Sequence, residues 1–285
     1  MSRIVLGNRG SALALAQARS VFAELTAEWP DVNIVQRVIQ ARSMQNPADA
    51  LLGALAAKQL SMVVASLDEL PAILPDGLTI AAVTRRLEPR STLISKGQKG
   101  LSELTTGALI GVRTPRDTAF LLAQRSDLRS ELLSGGLDED LAQLANGHLE
   151  ALVLPAYEFI QLDRRNRLDT LLEADVFTPA AGQGSLGLVV RNDDDLAFDL
   201  AYTLQHRPSA DRASAERSFA ARLLAHSSHA VGALATVSAE GELRLFGAVA
   251  AVGGGLLVQA EVTGEAAEAA ELGRELAEDV LAQLA

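Results

Sequence analysis

Two adjacent acids, Asp68 and Glu69, follow a short apolar run that ends at Ser66. The run is typical of a buried strand, and open α/β sheets bind their ligands at the carboxyl ends of their strands. Two carboxylates and a hydroxyl at such an end could provide acid–base or electrostatic catalysis. They could equally be ordinary acids at a helix start, where the helix dipole favours negative charge. Which interpretation holds depends on the rest of the chain.

The composition is that of a globular protein with several domains. With 285 residues and 48% hydrophobic content, the chain is long enough for two or three domains of about 100 residues each. It has neither a run of about 18 apolar residues nor an apolar signal-peptide core. We therefore expect a cytoplasmic protein that does not engage membranes. The net charge of −11 and the 4% aromatic content argue against nucleic-acid partners.

The chain contains no cysteine, which excludes disulfides, thiolate metal sites and cysteine nucleophiles. His226 and His229 lie three residues apart beside two serines, but no third ligand accompanies them. The sequence therefore predicts no metal site. The acidic run at residues 138–140 is explained better as the first turn of a helix than as a cation site.

Strand-like and helix-like segments alternate along the chain, which indicates parallel or mixed sheets covered by helices. Early in the chain, Ser11 is placed to cap a helix that ends at Trp29, and strand-like runs lie on both sides of it. The alternation starts again in the middle of the chain. There, Thr114 and Pro115 predict a helix start, and Gly147 predicts the end of the next helix.

The last part of the chain predicts a small α+β unit. A charged helix capped by Ser209 runs to Leu224, strands follow it, and a final helix carries apolar residues at spacing four. Before this unit, the glycines at residues 182–187 match a dinucleotide-binding fingerprint, but they lead into a strand-like run rather than a helix. They therefore predict a crossing between domains and not a nucleotide site.

Four motifs, distributed over nearly the whole chain, occur in the order and at roughly the spacing of the motifs of a known family. They are GNRGSALALAQ at residues 7–17, RRLEPRSTLIS at 85–95, PAAGQGSLGL at 179–188 and SAER at 214–217. Together they resemble the porphobilinogen deaminase family, also called hydroxymethylbilane synthases. Each motif is weak by itself, and the four in register make a specific resemblance.

The resemblance implies an α/β fold of three domains. Two periplasmic-binding-protein-like α/β domains would face each other across a cleft, followed by a small α+β domain at the carboxyl terminus. The first domain would comprise residues 1–90 and 182–204, the second residues 91–181, and the third residues 205–285. The second domain is thus expected to be inserted between two parts of the first.

The resemblance also implies an activity, the head-to-tail joining of four porphobilinogen units with loss of ammonia. The family builds this product on a dipyrromethane cofactor, which a thioether attaches to a cysteine in the third domain. Ser227 stands at the position of that cysteine, and a serine hydroxyl without a positioned base is a far poorer nucleophile than a thiolate. We therefore expect no attached dipyrromethane and no other cofactor.

The acid pair falls on the family's catalytic turn, HSMKDVP, where this chain has ASLDELP. Glu69 stands at the position of the family's catalytic aspartate and keeps a carboxylate on an arm one methylene longer. Asp68 stands in place of the neighbouring lysine, so an anion replaces a cation. Two crowded carboxylates repel an anionic substrate, and the turn is therefore predicted to have lost part of its function.

The residues that remain as candidate anion contacts are Arg9, Ser11, Ser66, Arg90 and Arg116. Other arginines of the family are replaced by acids, at Asp117 and within residues 138–140. Each lost charge-assisted contact costs about 1.5–3 kcal/mol, and an acid in its place repels carboxylates. The sequence therefore predicts a cleft that no longer attracts a polycarboxylate substrate.

Three hypotheses about function remain open. The first is a family member without the family's activity, which binds a small anion or a protein of the tetrapyrrole pathway. The second is an active hydroxymethylbilane synthase that holds its primer noncovalently and uses Glu69 as the catalytic carboxylate. The third is an unrelated small-anion binding module that uses the cleft between the domains. In each case we expect a monomer.

Overall fold

The computed structural model describes residues 3–40, 48–226 and 228–284. The chain divides into two compact units, Met1–Leu87 with Gly184–Ala210 and Glu88–Gln183 with Asp211–Ala285. Within the described residues, no helix is long and apolar enough to cross a membrane.

Strands and helices alternate through most of the chain. The strands are β1 (Arg3–Asn8), β2 (Asn33–Val38), β3 (Met62–Ser66), β4 (Leu78–Val83), β5 (Ser91–Ser95), β6 (Leu109–Val112), β7 (Arg129–Leu132), β8 (Ala151–Pro155), β9 (Thr170–Leu171), β10 (Leu186–Arg191), β11 (Ala230–Val237), β12 (Glu242–Ala250) and β13 (Leu257–Glu265). The helices are α1 (Ala12–Glu28), α2 (Asp49–Ala56), α3 (Pro115–Gln124), α4 (Leu137–Asn146), α5 (Ala156–Gln161), α6 (Asp195–Tyr202), α7 (Arg207–Leu224) and α8 (Ala269–Leu284).

The first unit contains a five-stranded sheet in the order β2-β1-β3-β10-β4. β1 runs parallel to β2 and β3, whereas β10 is antiparallel to β3 and β4. The inner strands β3 and β10 are buried almost throughout, which explains why their sequences are continuous apolar runs. Helices α1, α2 and α6 pack against this sheet.

The second unit begins with another five-stranded sheet, in the order β7-β6-β8-β5-β9. β6 is parallel to β7 and β8, and β5 is antiparallel to β8 and β9. Two successive residues of β8 pack in different hydrophobic cores. Val153 packs in the core that contains Phe120 of α3, and Leu152 packs in the core that contains Leu141 of α4 and Phe159 of α5.

A smaller antiparallel sheet, β11-β12-β13, completes the second unit. Leu245 of β12 packs in the core formed with Phe219 of α7 and Leu276 of α8. Ala248 and Ala250 of the same strand instead join the core around Phe120. The predicted fold class, two α/β sheets covered by helices with a small α+β domain at the carboxyl terminus, is therefore confirmed. The domain boundaries stay predictions.

One predicted helix start is wrong. Ser209 does not cap α7, because the helix already begins at Arg207 and includes Pro208. Proline is tolerated in the first turn, where backbone N–H groups have no partner within the helix. The Ser209 hydroxyl instead accepts a 2.9 Å hydrogen bond from the backbone N–H of Arg86. The glycines at residues 182–187, as predicted, lead into a strand, β10.

Candidate functional site

In the first unit, Glu69 and Arg9 form a salt bridge. β1 and β3 are parallel neighbours, so residues that follow them lie at the same edge of the sheet. Arg9 comes directly after β1, and Glu69 ends a short 3-10 turn, Leu67–Glu69, after β3. Asp68 lies in the same turn. The structure therefore brings the candidate catalytic carboxylate into direct contact with a candidate anion-binding arginine.

Two candidate hydroxyls near the ends of these strands make hydrogen bonds within the fold. Ser66 is buried, and its hydroxyl accepts a 2.8 Å hydrogen bond from the side-chain amide of Gln17. Ser11 caps α1, as predicted, by accepting the backbone N–H of Ala14 at 3.2 Å. Gly10 has a φ of 81°, which a residue with a side chain rarely adopts and which turns the chain from β1 into α1.

Arg90 belongs to the second unit and contacts two acids. Its Nε lies 2.8 Å from Oε1 of Glu88, and its Nη1 lies 2.8 Å from Oε1 of Glu173. The hydrogen bond that Arg90 donates to Glu88, opposed in part by burial, raises the pKa of Arg90 above its ordinary value. A ligand carboxylate at Arg90 would therefore compete with two carboxylates of the protein itself.

Arg116, in the first turn of α3, joins that helix to the C-terminal sheet. Its Nε donates to the carbonyl oxygen of Val231 at 2.8 Å, its Nη2 donates to the carbonyl oxygen of Thr178, and its Nη1 lies 2.8 Å from Oδ1 of Asp117. The guanidinium carbon lies 4.5 Å from the centre of the Phe120 ring, within the range of a cation–π contact. Several donors of this candidate anion contact are thus bound within the protein.

A buried ion cluster in the second unit was not predicted from the sequence. Arg113 follows β6, and its Nη1 lies 2.5 Å from Oδ2 of Asp140 in α4, while its Nη2 lies 2.6 Å from Oε2 of Glu158 in α5. Asp140 is therefore more than the first-turn acid that the sequence predicted. One signal was present in the resemblance to the family. Arg113 stands at the first serine of the family segment SSLRRQ, which falls on residues 113–118, and Asp140 stands at the last arginine of the segment RGNxxTR, which falls on residues 134–140, so two charges changed together.

The cluster holds two carboxylates and one guanidinium. Burial raises the pKa of Asp140 above its ordinary value, and the opposing attraction of Arg113 does not fully offset it. Arg113 loses solvation by burial as well, but Glu158 and Asp140 raise its pKa. Asp140 is completely buried, and within the described residues its Oδ1 has no hydrogen-bond partner. Its negative charge is therefore the costly one in this cluster.

Removing the negative charge of Asp140 is expected to change how the free energy of unfolding depends on pH. Because the pKa of Asp140 is higher in the folded chain than in the unfolded chain, Asp140 favours folding at low pH, and this contribution is lost as the pH rises through its folded pKa. Asp140→Asn is expected to remove that loss, so that the stability of the variant at pH 7 equals or exceeds that of the wild type. Urea unfolding from pH 4 to pH 7 measures it.

Glu158→Gln is the matched comparison, since Glu158 accepts two hydrogen bonds from Arg113, at 2.6 and 3.1 Å. Without Glu158 the cluster loses its better-placed acid, and we expect a loss of about 3 kcal/mol. If Asp140→Asn costs as much as Glu158→Gln at pH 7, the assignment of Asp140 as the unfavourable charge is wrong.

The position of the family's cysteine, Ser227, lies outside the described residues. Across the part of the chain that the structure describes, no group of three or more His, Asp or Glu side chains is placed to hold a metal ion. Of the predicted site residues that are described, Arg9, Ser11, Ser66 and Glu69 belong to the first unit, and Arg90 and Arg116 belong to the second.

Family models match almost the entire chain. Residues 4–199 match "Porphobilinogen deaminase, dipyromethane cofactor binding domain", and residues 210–282 match "Porphobilinogen deaminase, C-terminal domain". The chain belongs to the porphobilinogen deaminase family. The resemblance inferred from the four motifs is thereby confirmed, and with it the place of the family in tetrapyrrole biosynthesis.

Relatives named porphobilinogen deaminase align with the chain from end to end. One from Thermus thermophilus is 43% identical over 99% of this chain and 97% of its own length. One from Deinococcus radiodurans is 38% identical over 99% of this chain and 96% of its own length. Among solved structures, a TRAP periplasmic solute binding protein from Desulfovibrio salexigens aligns over 72% of each chain, with 9% identity and a TM-score of 0.49. That last similarity is too low to support an argument.

Proposed function

We propose that this chain is a member of the porphobilinogen deaminase family that does not catalyse the family's reaction and acts as a binding or regulatory protein. The observation that carries the proposal is the absence of any cysteine. The family's chemistry proceeds on a primer that a thioether holds, and a chain without a thiol cannot form that bond. Dipyrromethane therefore does not fit this chain as a covalent cofactor.

The candidate anion-binding arginines of each unit support the same proposal. Arg9 contacts Glu69, Arg90 contacts Glu88, and Arg116 contacts Asp117. Each of these contacts is a charge-assisted interaction of about 1.5–3 kcal/mol where solvent does not screen it. A substrate carboxylate at any one of these arginines would have to compete with the acid that the arginine already contacts.

The retained family motifs have structural roles, which also fits a chain that kept the fold and lost the chemistry. Gln183 donates to the carbonyl oxygen of Pro89 at 2.6 Å, and the Gly182 N–H donates to Glu216 at 2.7 Å. Ser11 caps a helix. The positions that depart from the family, in contrast, are those of the anchor, the catalytic turn and the substrate-binding arginines.

The site indicates only the general class of ligand or partner. A small anion that displaces Glu69 from Arg9, or a protein of the tetrapyrrole pathway, fits the family context. We further propose a cytoplasmic monomer. The competing function, an active deaminase with a noncovalent primer, is favoured by the relatives that bear that name and by the carboxylate at Glu69.

Incubation with porphobilinogen separates the two functions. The purified chain is expected to yield no uroporphyrin absorbance after acidification and oxidation, whereas a cysteine-bearing deaminase assayed in parallel does yield it. The intact mass is expected to equal the mass of the polypeptide, with no bound dipyrromethane. Turnover by the chain, abolished in a Glu69→Ala variant, would establish the competing function.

A further inference from the structure

A groove in the second unit lies on the part of the C-terminal sheet that the rest of the unit leaves open. On this face Leu234 of β11 lies opposite Phe246 of β12, and Thr236 lies opposite Arg244. Further along the same face, Ala248 packs into the core around Phe120. Helices α7 and α8 contribute to the core on the other side of the sheet. The open part is therefore bounded by packed core at one end.

The second wall of the groove is the segment at residues 173–175, which precedes the core residue Phe177. Gln259 of β13 holds this segment to the sheet, because its side-chain amide donates a 2.6 Å hydrogen bond to the carbonyl oxygen of Asp175. Between the segment and the sheet is a cavity of about 290 Å³, lined by Glu173, Ala174, Asp175, Leu234, Thr236, Arg244 and Phe246. This volume is near the lower end of the range of about 300–1,000 Å³ for small-molecule pockets.

The lining has an apolar floor and charges of opposite sign on two sides. Leu234 and Phe246 form the floor, Glu173 and Asp175 lie on one wall, and Arg244 lies on the sheet. The Glu173 carboxylate is already paired with Arg90, 2.8 Å from its Nη1, so Asp175 is the acid of this wall that a ligand amine would contact. The phenyl ring of Phe246 is half-buried at the base of the cavity. Its apolar face is one on which a planar group can stack. The charges then determine which planar molecules fit.

Arg244 already has a partner in the sheet, and that partner is easily displaced. Its Nη2 lies 2.5 Å from Oε2 of Glu261, with side-chain exposures of 61% for Arg244 and 50% for Glu261. An ion pair this exposed contributes little, because water and salt screen it and both side chains lose freedom in forming it. A ligand carboxylate over the apolar floor would be better shielded from water and could take the place of Glu261.

We propose that this groove binds a small planar zwitterion that has an amine at one end and a carboxylate at the other. The ring lies on Phe246 and Leu234, the carboxylate pairs with Arg244, and the amine pairs with Asp175. An anion alone would be repelled by the acidic wall, and a cation alone would leave Arg244 with Glu261. The site involves none of the residues at the ends of β1 and β3, and among the described residues its one link to the candidate anion contacts is Glu173, which pairs with Arg90.

The probe for this site is 4-(aminomethyl)benzoate, with benzoate and benzylamine as single-charge comparisons. Titration of the full chain, followed by ligand-detected NMR, is expected to show saturable binding of the zwitterion. Each single-charge probe is expected to bind about tenfold more weakly or worse, because one charged contact is lost. Equal binding of all three probes, or no saturable binding of the zwitterion, would overturn the proposal.

A pair of exposed arginines tests the location. Arg244→Gln is expected to weaken zwitterion binding by about tenfold or more. Arg274→Gln, on α8, removes an arginine of similar exposure that pairs with Glu271 at 2.7 Å, and it is expected to leave binding unchanged. Equal effects of the two substitutions would place the probe elsewhere. Both variants replace exposed side chains, so both are expected to fold, and the outcome of the porphobilinogen assay does not affect this result.

Discussion

Replacing Glu216 by alanine is expected to destabilise the second unit by about 2–6 kcal/mol. Glu216 is completely buried, and its carboxylate accepts the backbone N–H of Gly182 and the backbone N–H of Ala235, each at 2.7 Å. Each buried N–H left without an acceptor costs about 1–3 kcal/mol. The two N–H groups belong to a glycine-rich loop and to β11, so the substitution also separates that loop from the C-terminal sheet.

Urea unfolding followed by circular dichroism measures the loss. Glu216→Gln is expected to be intermediate, because the remaining carbonyl oxygen can serve one of the two N–H groups. Glu275→Ala is the control, since Glu275 is an exposed residue of α8 and exposed substitutions usually change stability by less than about 0.5 kcal/mol. A Glu216→Ala variant as stable as the Glu275→Ala variant would contradict the structural role assigned to this carboxylate.

Gly273→Ala is expected to destabilise the chain by about 3 kcal/mol, because α7 and α8 approach each other too closely for a methyl group. A Cβ at Gly273 would lie 2.2 Å from the carbonyl oxygen of Ala215 and 2.9 Å from Cβ of Ser218. The first of these atoms belongs to the backbone of α7 and cannot move without moving the helix. The clash therefore outweighs the gain in helix propensity of about 1 kcal/mol that alanine brings.

A glycine-to-alanine substitution in another helix is expected to have the opposite effect on stability. A Cβ at Gly53, inside α2, would meet no atom of the described residues within 4 Å, so Gly53→Ala is expected to stabilise the chain by about 0.5–1 kcal/mol through helix propensity and a smaller unfolded-state entropy. Urea unfolding of both variants provides the test. If both changes shift stability in the same direction, the close approach of α7 and α8 does not govern the result.

Local features of the fold could be predicted from the sequence because their interactions span few residues. Ser11 caps α1, Thr114 caps α3, and Gly147 closes α4 with a φ of 83°. Each involves hydrogen bonds or backbone geometry within about one turn. The start of α7 was mispredicted because two local signals compete there. Ser209 is a good cap by residue type, but Pro208 is acceptable inside a first turn.

The position of Ser66 and Glu69 after a buried strand could likewise be predicted, but their partners could not. Arg9 and Glu69 meet only because β1 and β3 are adjacent in the sheet, and strand order does not follow from the pattern of any one strand. The cluster of Arg113, Asp140 and Glu158 was missed for the same reason, since its members follow three different strands.

The sequence by itself determined the family and the absence of a thiol. Motif order and residue identity are properties of the chain in any conformation, so no contact was needed to see that Ser227 stands where the family has its cysteine. The tertiary structure alone decided that Arg9 contacts Glu69 and that Arg90 contacts Glu173. The strength of an ion pair depends on distance and burial, and the Arg9–Glu69 distance, across 60 positions in sequence, is fixed only when the sheet forms.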